Sequence, residues 1–426
     1  MRPRALRRAV TALVAVLCLL VVLPAAGRAA ASAARASACP ASVTAPSAIV
    51  IEVSSGEAAC AKDAESERPI ASTTKLMTAL LTLERTKLSR RIPTSSYRPG
   101  PAESVIGLLP GERLTVRDLL HGLLVYSGND AAMALASGVG GSERGFVRLM
   151  NRRAQQLGLR HTHYANPIGL DEAGNHSSAH DLVRLAVILR TNPFFRETVD
   201  APEVTLHSGA RVRHLLNRND LVRRFGWVNG VKTGHTRLAG YVLVGSARRH
   251  GVQVVSAVLG TPGEASRDAQ SLALLRAGLA AFRNVAAAPA GHRVRGLAPV
   301  PIRYRPGAAL RLVVGSNRVR AIVRRGQRDV VTLRPAKVPA EVEGPIRRGQ
   351  VLGSAEVLRG RTHIGTVPLV AAEPVPAASV GQRTRAWFTR PGAIVLAFAV
   401  LGGTVLLARR RSLRSRRRPR SEARPA

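Results

Sequence analysis

Lysine is the residue this chain nearly does without. Of 64 basic side chains in 426 residues only five are lysine, at Lys62, Lys75, Lys87, Lys232 and Lys337; the rest are arginine. Aromatic residues are scarce too, at 3%. A net charge of +38 invites a nucleic-acid reading. Such a surface interleaves its cations with aromatics that stack on bases, and those are missing, so no nucleic-acid partner is expected. Much of the charge sits at the ends, with Arg2, Arg4, Arg7 and Arg8 leading and Arg409 to Arg411 opening an arginine-rich tail. There are three cysteines. Cys18 lies in an N-terminal apolar run, which leaves Cys39 and Cys60 as an even pair that an oxidising compartment can join. No G-x-S-x-G elbow appears, which argues against an α/β-hydrolase. His176 and His180 lie four apart, but the glutamate of H-E-x-x-H is absent. Ser178 between them reads as a helix cap. No metal or other cofactor is expected.

Long apolar runs occur only at the two ends. Residues 1–33 carry an arginine-rich start, an apolar run from Ala9 to Leu23, and small residues such as Ala31-Ser32-Ala33; this is a secretion signal. Residues 391–408 form a second run without charge, and the basic tail 409–426 follows at once. Roughly 18 residues just span a bilayer, and the flanking arginines put the tail in the cytoplasm. The expectation is a mature protein displayed outside the cell and anchored by one C-terminal transmembrane helix.

Between these ends the pattern is mixed. Ala48-Ile-Val-Ile-Glu-Val53 reads as a strand, and Ser54-Ser55-Gly56 as a hairpin turn into another. Apolar residues at 76, 77, 80, 81 and 83 recur at helical spacing. Thr115 to Asp118 resembles a capping box, and Leu119, Leu120, Leu123 and Leu124 give a helical face running into Ser127-Gly128-Asn129. Three strand-like runs cover 228–236, 240–247 and 252–259, and a helix follows over about 265–282. An Ala/Pro/Gly-rich stretch at 286–299 reads as a linker, 300–372 as a small all-β domain, and 373–390 as a second linker.

Ser72 and Lys75 sit three apart at the start of the first helix, which puts both side chains on one face. A serine hydroxyl becomes a nucleophile when a base takes its proton, and a lysine is that base only once its own pKa is lowered. Gly234, in a strand and directly after Lys232-Thr233, marks a place where backbone must come close to a ligand. Ser72-x-x-Lys75, Ser127-Gly-Asn129 and Lys232-Thr-Gly234 are weak signals singly. Together, in that order, with gaps of 55 and 105 residues, they are specific.

On these motifs, on Asn166-Pro-Ile-Gly-Leu-Asp171, and on Lys232-Thr-Gly-His-Thr236 followed by Ala239-Gly-Tyr241, residues 40–285 resemble the serine-type D-alanyl-D-alanine carboxypeptidases. These are the low-molecular-mass penicillin-binding proteins. Residues 300–372 resemble that family's C-terminal β domain, chiefly through Gly349-x-x-x-Gly353 and Ile364-Gly-x-x-Pro-Leu-Val370. The resemblance implies an α+β fold of the penicillin-binding-protein/β-lactamase-like transpeptidase type, an antiparallel sheet packed with helices. It implies that Ser72 attacks the carbonyl between two D-alanines and that Lys75 takes its proton, kept neutral by burial and by Lys232. Ser127 relays a proton to the leaving amine, and Asn129 holds substrate and Lys75. Backbone amides of Ser72 and His235 form the oxyanion hole, while Lys232, Thr233 and Arg267 receive the substrate carboxylate. The implied partners are peptidoglycan stem peptides ending in D-Ala-D-Ala, with β-lactams as acylating inhibitors. Many relatives lie on the membrane through an amphipathic C-terminal helix, whereas this chain is expected to cross it. A D,D-endopeptidase would use the same residues. A β-lactamase needs a further glutamate, for which Glu203-Val-Thr-Leu-His207 is the nearest local pattern. A non-catalytic wall-binding protein would have lost Ser72, Lys75 or Lys232, and all three are present.

Overall fold

The computed structural model describes residues 38–315, 318–327, 331–388 and 391–415. The expected secretion signal lies outside the described residues, as does the tail beyond 415. The chain forms two compact units; the first takes in residues up to Ala247 together with Val254–Gly278.

At the centre of the first unit is an antiparallel sheet of five strands. Hairpin β1 (Ser47–Glu52) and β2 (Ala58–Lys62) opens it. Two short pairs follow in the chain, β3 (Arg91–Pro93) with β4 (Arg113–Thr115) and β5 (Glu203–Leu206) with β6 (Arg213–Leu216). The sheet is completed by β7 (Val228–Thr236), β8 (Gly240–Arg249) and β9 (Val252–Thr261), in the order β2-β1-β9-β8-β7.

Alternation along the strands assigns the two faces. Ile49, Val242, Val244, Val255, Ala257 and Leu259 join the main helical core. That core is built on α1 (Lys75–Arg85), α2 (Val116–His121), α3 (Asn129–Gly140), α4 (Glu143–Leu157), α5 (Ala179–Leu189) and α6 (Pro193–Asp200). A short helix, α7 (Asp220–Arg224), leads into β7. The opposite face meets α8 (Glu264–Ala281), where Leu275 approaches Gly245, and Gly278 approaches Val50 and Val254. The register pairs Lys232 with Val244 and Gly234 with Val242, so both β7 residues face the helical core. Helix caps follow the sequence: Ser178 Oγ accepts from Asp181 N at 3.1 Å, and Thr115 Oγ1 from Asp118 N at 3.2 Å.

The second unit is β-rich. Strand β10 (Phe282–Ala286) pairs with β14 (Arg320–Arg324), and β11 (Val300–Pro301) with β12 (Ala309–Leu310). A four-stranded sheet runs β13-β17-β16-β15, with β13 at Leu312–Val314, β15 at Val331–Lys337, β16 at Val351–Arg359 and β17 at Thr362–Ala371. Ala288 and Val294, in the segment read as a linker, are buried in this unit's core beside Leu310, Val357 and Leu369. The second expected linker holds a helix, α9 (Val380–Phe388).

The transmembrane expectation for 391–408 falls in helix α10 (Pro391–Ser415). Among the described residues, however, no helix is long and apolar enough to cross a membrane.

Cys39 and Cys60 form a disulfide with their Cα atoms 5.0 Å apart, tying the segment before β1 to strand β2 across 21 positions of sequence. A loop of that size restricts the unfolded chain enough to contribute about 3 kcal/mol. The Cys39→Ser, Cys60→Ser double variant should lose about that much in urea unfolding while keeping the same folded spectrum.

Candidate active site

Ser72 lies just before α1, not on it. Ala71–Thr74 form a 3-10 turn entered through Ala71 at φ +46°, and the α-helix starts at Lys75. In a 3-10 turn, positions i and i+3 eclipse, which aligns Ser72 with Lys75 more closely than an α-turn does. The Lys75 amine is fully buried and donates to three oxygens: Ser72 Oγ at 2.8 Å, Asn129 Oδ1 at 2.6 Å and Ile168 O at 2.7 Å. Burial lowers its pKa to about 7, against the opposing pull of the Glu103 and Asp130 carboxylates. Desolvation is the largest cause, and the repulsion between the Lys75 and Lys232 amines disfavours charge on the pair.

Lys232 is buried on β7 and donates to Thr233 O at 2.9 Å. Desolvation, then the charges of Lys75, Arg218 and Arg267, hold its pKa well below the usual lysine range. At Gly234 the strand comes so close to the serine turn that a Cβ would stand 3.0 Å from Ser72 N and 3.2 Å from Ile70 O. A side chain there would part the two segments, so the bare backbone at Gly234 is required by the serine turn itself, whereas the sequence alone assigns that approach to a ligand. Thr233 is buried; His235 is exposed and stacks on Tyr241 at 4.0 Å between ring centroids.

A tight π-helical turn, Gly122–Tyr126, follows α2 and delivers Ser127 in the left-handed region at φ +72°. Its Oγ is buried without a hydrogen-bond partner among the described residues. A buried hydroxyl left unpaired in this way is a candidate donor or acceptor for an arriving ligand. Asn129 opens α3; its Oδ1 accepts from Lys75, and its Nδ2 donates to Glu103 Oε2 at 2.6 Å.

The loop Asn166–Asp171 completes the surroundings of Lys75. Asn166 Oδ1 accepts from Gly169 N at 2.7 Å, folding a turn that aims Ile168 O at the lysine amine. Thr78 on α1 donates to Pro167 O at 2.7 Å. Asp171 then accepts from Thr236 Oγ1 at 2.6 Å and Leu238 N at 3.0 Å, tying this loop to the turn between β7 and β8.

Arg267, in the first turn of α8, is 3% exposed and donates at 2.8 Å both to Glu264 and to Asp268. It lies close enough to depress the Lys232 pKa but is already ion-paired. The two histidines weighed for zinc face different partners, His176 to Glu67 at 3.4 Å and His180 to Glu65 at 3.1 Å. Glu65, His180 and Asp181 bring donor atoms within 4.8 Å of one another, but Asp181 Oδ2 is taken by His161 N and Thr162 Oγ1. Glu203 is exposed at the start of β5. The carboxylate that does touch the site, Glu103, was not anticipated. It sits in an irregular loop with no periodicity or motif to mark it.

Gly169 has φ +89°, and a Cβ there would stand 2.0 Å from Ala71 O. Gly169→Ala is therefore expected to destabilise the protein by roughly 3 kcal/mol. Urea unfolding of the variant checks this.

Against known proteins, a sequence profile of D-alanyl-D-alanine carboxypeptidases matches residues 32–263, and one of the C-terminal domain of penicillin-binding protein 5 matches 302–377. The D-alanyl-D-alanine carboxypeptidase DacF of Bacillus subtilis is 31% identical over 77% of this chain and 85% of its own length. Among solved structures, the D-alanyl-D-alanine carboxypeptidase DacD from Francisella tularensis superposes with a TM-score of 0.56 at 27% identity, covering 79% of this chain and 94% of that one. The Streptomyces K15 DD-transpeptidase gives 0.54 at 30% identity, covering 57% and 100%. With a lysine amine on its serine and these relatives along most of its length, the chain belongs to the D-alanyl-D-alanine carboxypeptidase family.

Proposed function

We propose that the protein is a serine-type D-Ala-D-Ala carboxypeptidase that trims peptidoglycan stem peptides. The observation that carries this reading is the Lys75 amine, buried, 2.8 Å from Ser72 Oγ and with its pKa lowered to about 7. Such an amine is half unprotonated at neutral pH, so it can accept the serine proton at the moment of attack. Ser72 Oγ adds to the carbonyl carbon of the penultimate D-alanine, and its proton passes to Lys75. The oxyanion is met by the backbone amides of Ser72 and His235, a role supported by the close approach of the strand at Gly234 to Ser72 N. Ser127, whose hydroxyl is otherwise unpaired, carries a proton to the leaving nitrogen. The C–N bond breaks, D-alanine departs, and an ester to Ser72 remains. Water then adds to the ester, Lys75 takes its proton, and Ser72 leaves as the free hydroxyl. Lys232 and Thr233 attract the substrate's terminal carboxylate, with Arg267 adding positive potential from behind.

A β-lactam carries an acyl group and a carboxylate in the same relation, and it acylates Ser72 by the same route. The apolar run 391–408 with its basic tail, and the leader at 1–33, support export and a C-terminal membrane tether. The β-rich unit serves in this reading as a spacer between the membrane and the site.

Two outcomes are expected. Ser72→Ala abolishes both D-alanine release from a peptide ending in D-Ala-D-Ala and covalent labelling by penicillin, with an unchanged melting transition. Release by the Ser72→Ala variant at the wild-type rate would overturn the assignment of the nucleophile. In the wild type, kcat/KM falls on the acid side of about pH 7, because only the neutral amine is a base and its fraction drops tenfold per unit below its pKa. A flat profile from pH 5 to 8 would remove Lys75 from that role.

A further inference from the structure

The side-chain amide of asparagine has two ends of nearly equal size and opposite hydrogen-bonding sense. At Asn129 the choice matters. An oxygen facing Lys75 accepts from the amine, whereas an NH2 there would set donor against donor and push the amine off Ser72. Lys75 cannot enforce the choice alone, because an unprotonated amine also accepts. The other end of the amide meets a group that can only accept: Glu103 Oε2, 2.6 Å from Asn129 Nδ2. We propose that Glu103 is a positioning residue for acylation, whose carboxylate fixes the Asn129 amide in the one orientation that aims its oxygen at Lys75. This rests on the carboxypeptidase reading given above.

The carboxylate is itself held firmly. Tyr97 donates its hydroxyl to Oε2, and Gly100 N donates to Oε1 at 2.9 Å. The loop that carries it is fastened to α3 beside Asn129. Asn129 N donates to Ser104 O at 2.7 Å, and Asp130 accepts from Ile106 N and Leu108 N, each at 3.0 Å. An unbroken chain of hydrogen bonds thus runs from Tyr97 through Glu103, Asn129 and Lys75 to Ser72. Burial works against the charge on Glu103, but the bonds from Tyr97 and Asn129 keep its carboxyl below the usual range, so it is ionised at working pH.

That charge has a second effect. The carboxylates that face Lys75 are Glu103 and Asp130, both of which favour its protonated form, whereas the Lys232 amine disfavours it. Lys232 is faced by Lys75, Arg218 and Arg267, and Tyr97 by Glu103 and, less strongly, Glu143. Removing the Glu103 charge therefore makes Lys75 easier to deprotonate. Removing only its reach does not.

The test compares the full-length wild type with Glu103→Gln and Glu103→Asp, measuring the second-order rate of penicillin acylation from pH 5 to 9 and the thermal transition of each. Glu103→Gln keeps the shape and loses the charge. It is expected to acylate ten- to a hundredfold more slowly at its plateau, with the acid limb displaced to lower pH. Glu103→Asp keeps the charge and shortens the reach by one methylene; it should also be slow, with its acid limb near that of the wild type. Wild-type rates and limb in either variant that melts as the wild type does would overturn the proposal. So would slow acylation with a lowered melting transition and an unmoved limb in Glu103→Gln, which is what a purely structural residue gives. Wild-type protein that neither takes up penicillin nor releases D-alanine would instead refute the carboxypeptidase reading, a result distinct from both.

Discussion

An ammonium ion gives up strong hydration when it leaves water, and a protein interior returns little of it. Lys75 is buried on the helix at the heart of the first unit, so much of the surrounding structure can be understood as what its amine requires. Three oxygens must reach it, and they come from three separate stretches of chain: the serine turn, the start of α3 and the Asn166–Asp171 loop. Two of these stretches, the loop and the start of α3, are held by further bonds. Thr78 pins Pro167, Asp171 pins the β7–β8 turn, and Glu103 pins Asn129. The same burial that makes the amine costly to keep charged makes it useful as a base, so stability and chemistry oppose each other at one atom.

The second amine is placed by strand arithmetic. Because side chains alternate along β7, Lys232 and Gly234 must share a face, and the register with β8 turns that face toward the helical core. One position bears an amine and the next-but-one bears nothing, so a second amine faces Lys75 and a bare stretch of backbone lies against Ser72. A slip of one residue would exchange them for Thr233 and His235 and remove both features at once.

Where sequence and structure agree, the signal is local. The spacing of Ser72 and Lys75, the alternation in 228–259 and the caps at Thr115 and Ser178 are set by neighbours within a few residues, and all of them are present in the fold. The differences arise where distant segments decide. Glu103 acquires its place only when its loop folds onto α3, and no spacing announces that. In strand β16, Gly353, Ser354 and Ala355 blunt the alternation; its register with β15 and β17 makes it a strand. Ala288 and Val294 look like linker composition but fill a gap in a β core.

Strand β1 lies between β2 and β9 in the sheet, and Ile49 faces Ala257 across that last pairing. The first strand of the chain thus waits for nearly the last strand of its unit before it has neighbours on both sides. Closing so large a loop is slow, and folds dominated by such pairings form late in synthesis or export. Until β9 is available both edges of the β1–β2 hairpin are unpaired, and a two-stranded hairpin is barely stable alone in water. The Cys39–Cys60 bond anchors the segment before β1 to β2 and needs nothing from the rest of the chain. It can form first, and in doing so preserve the template on which the sheet is later assembled.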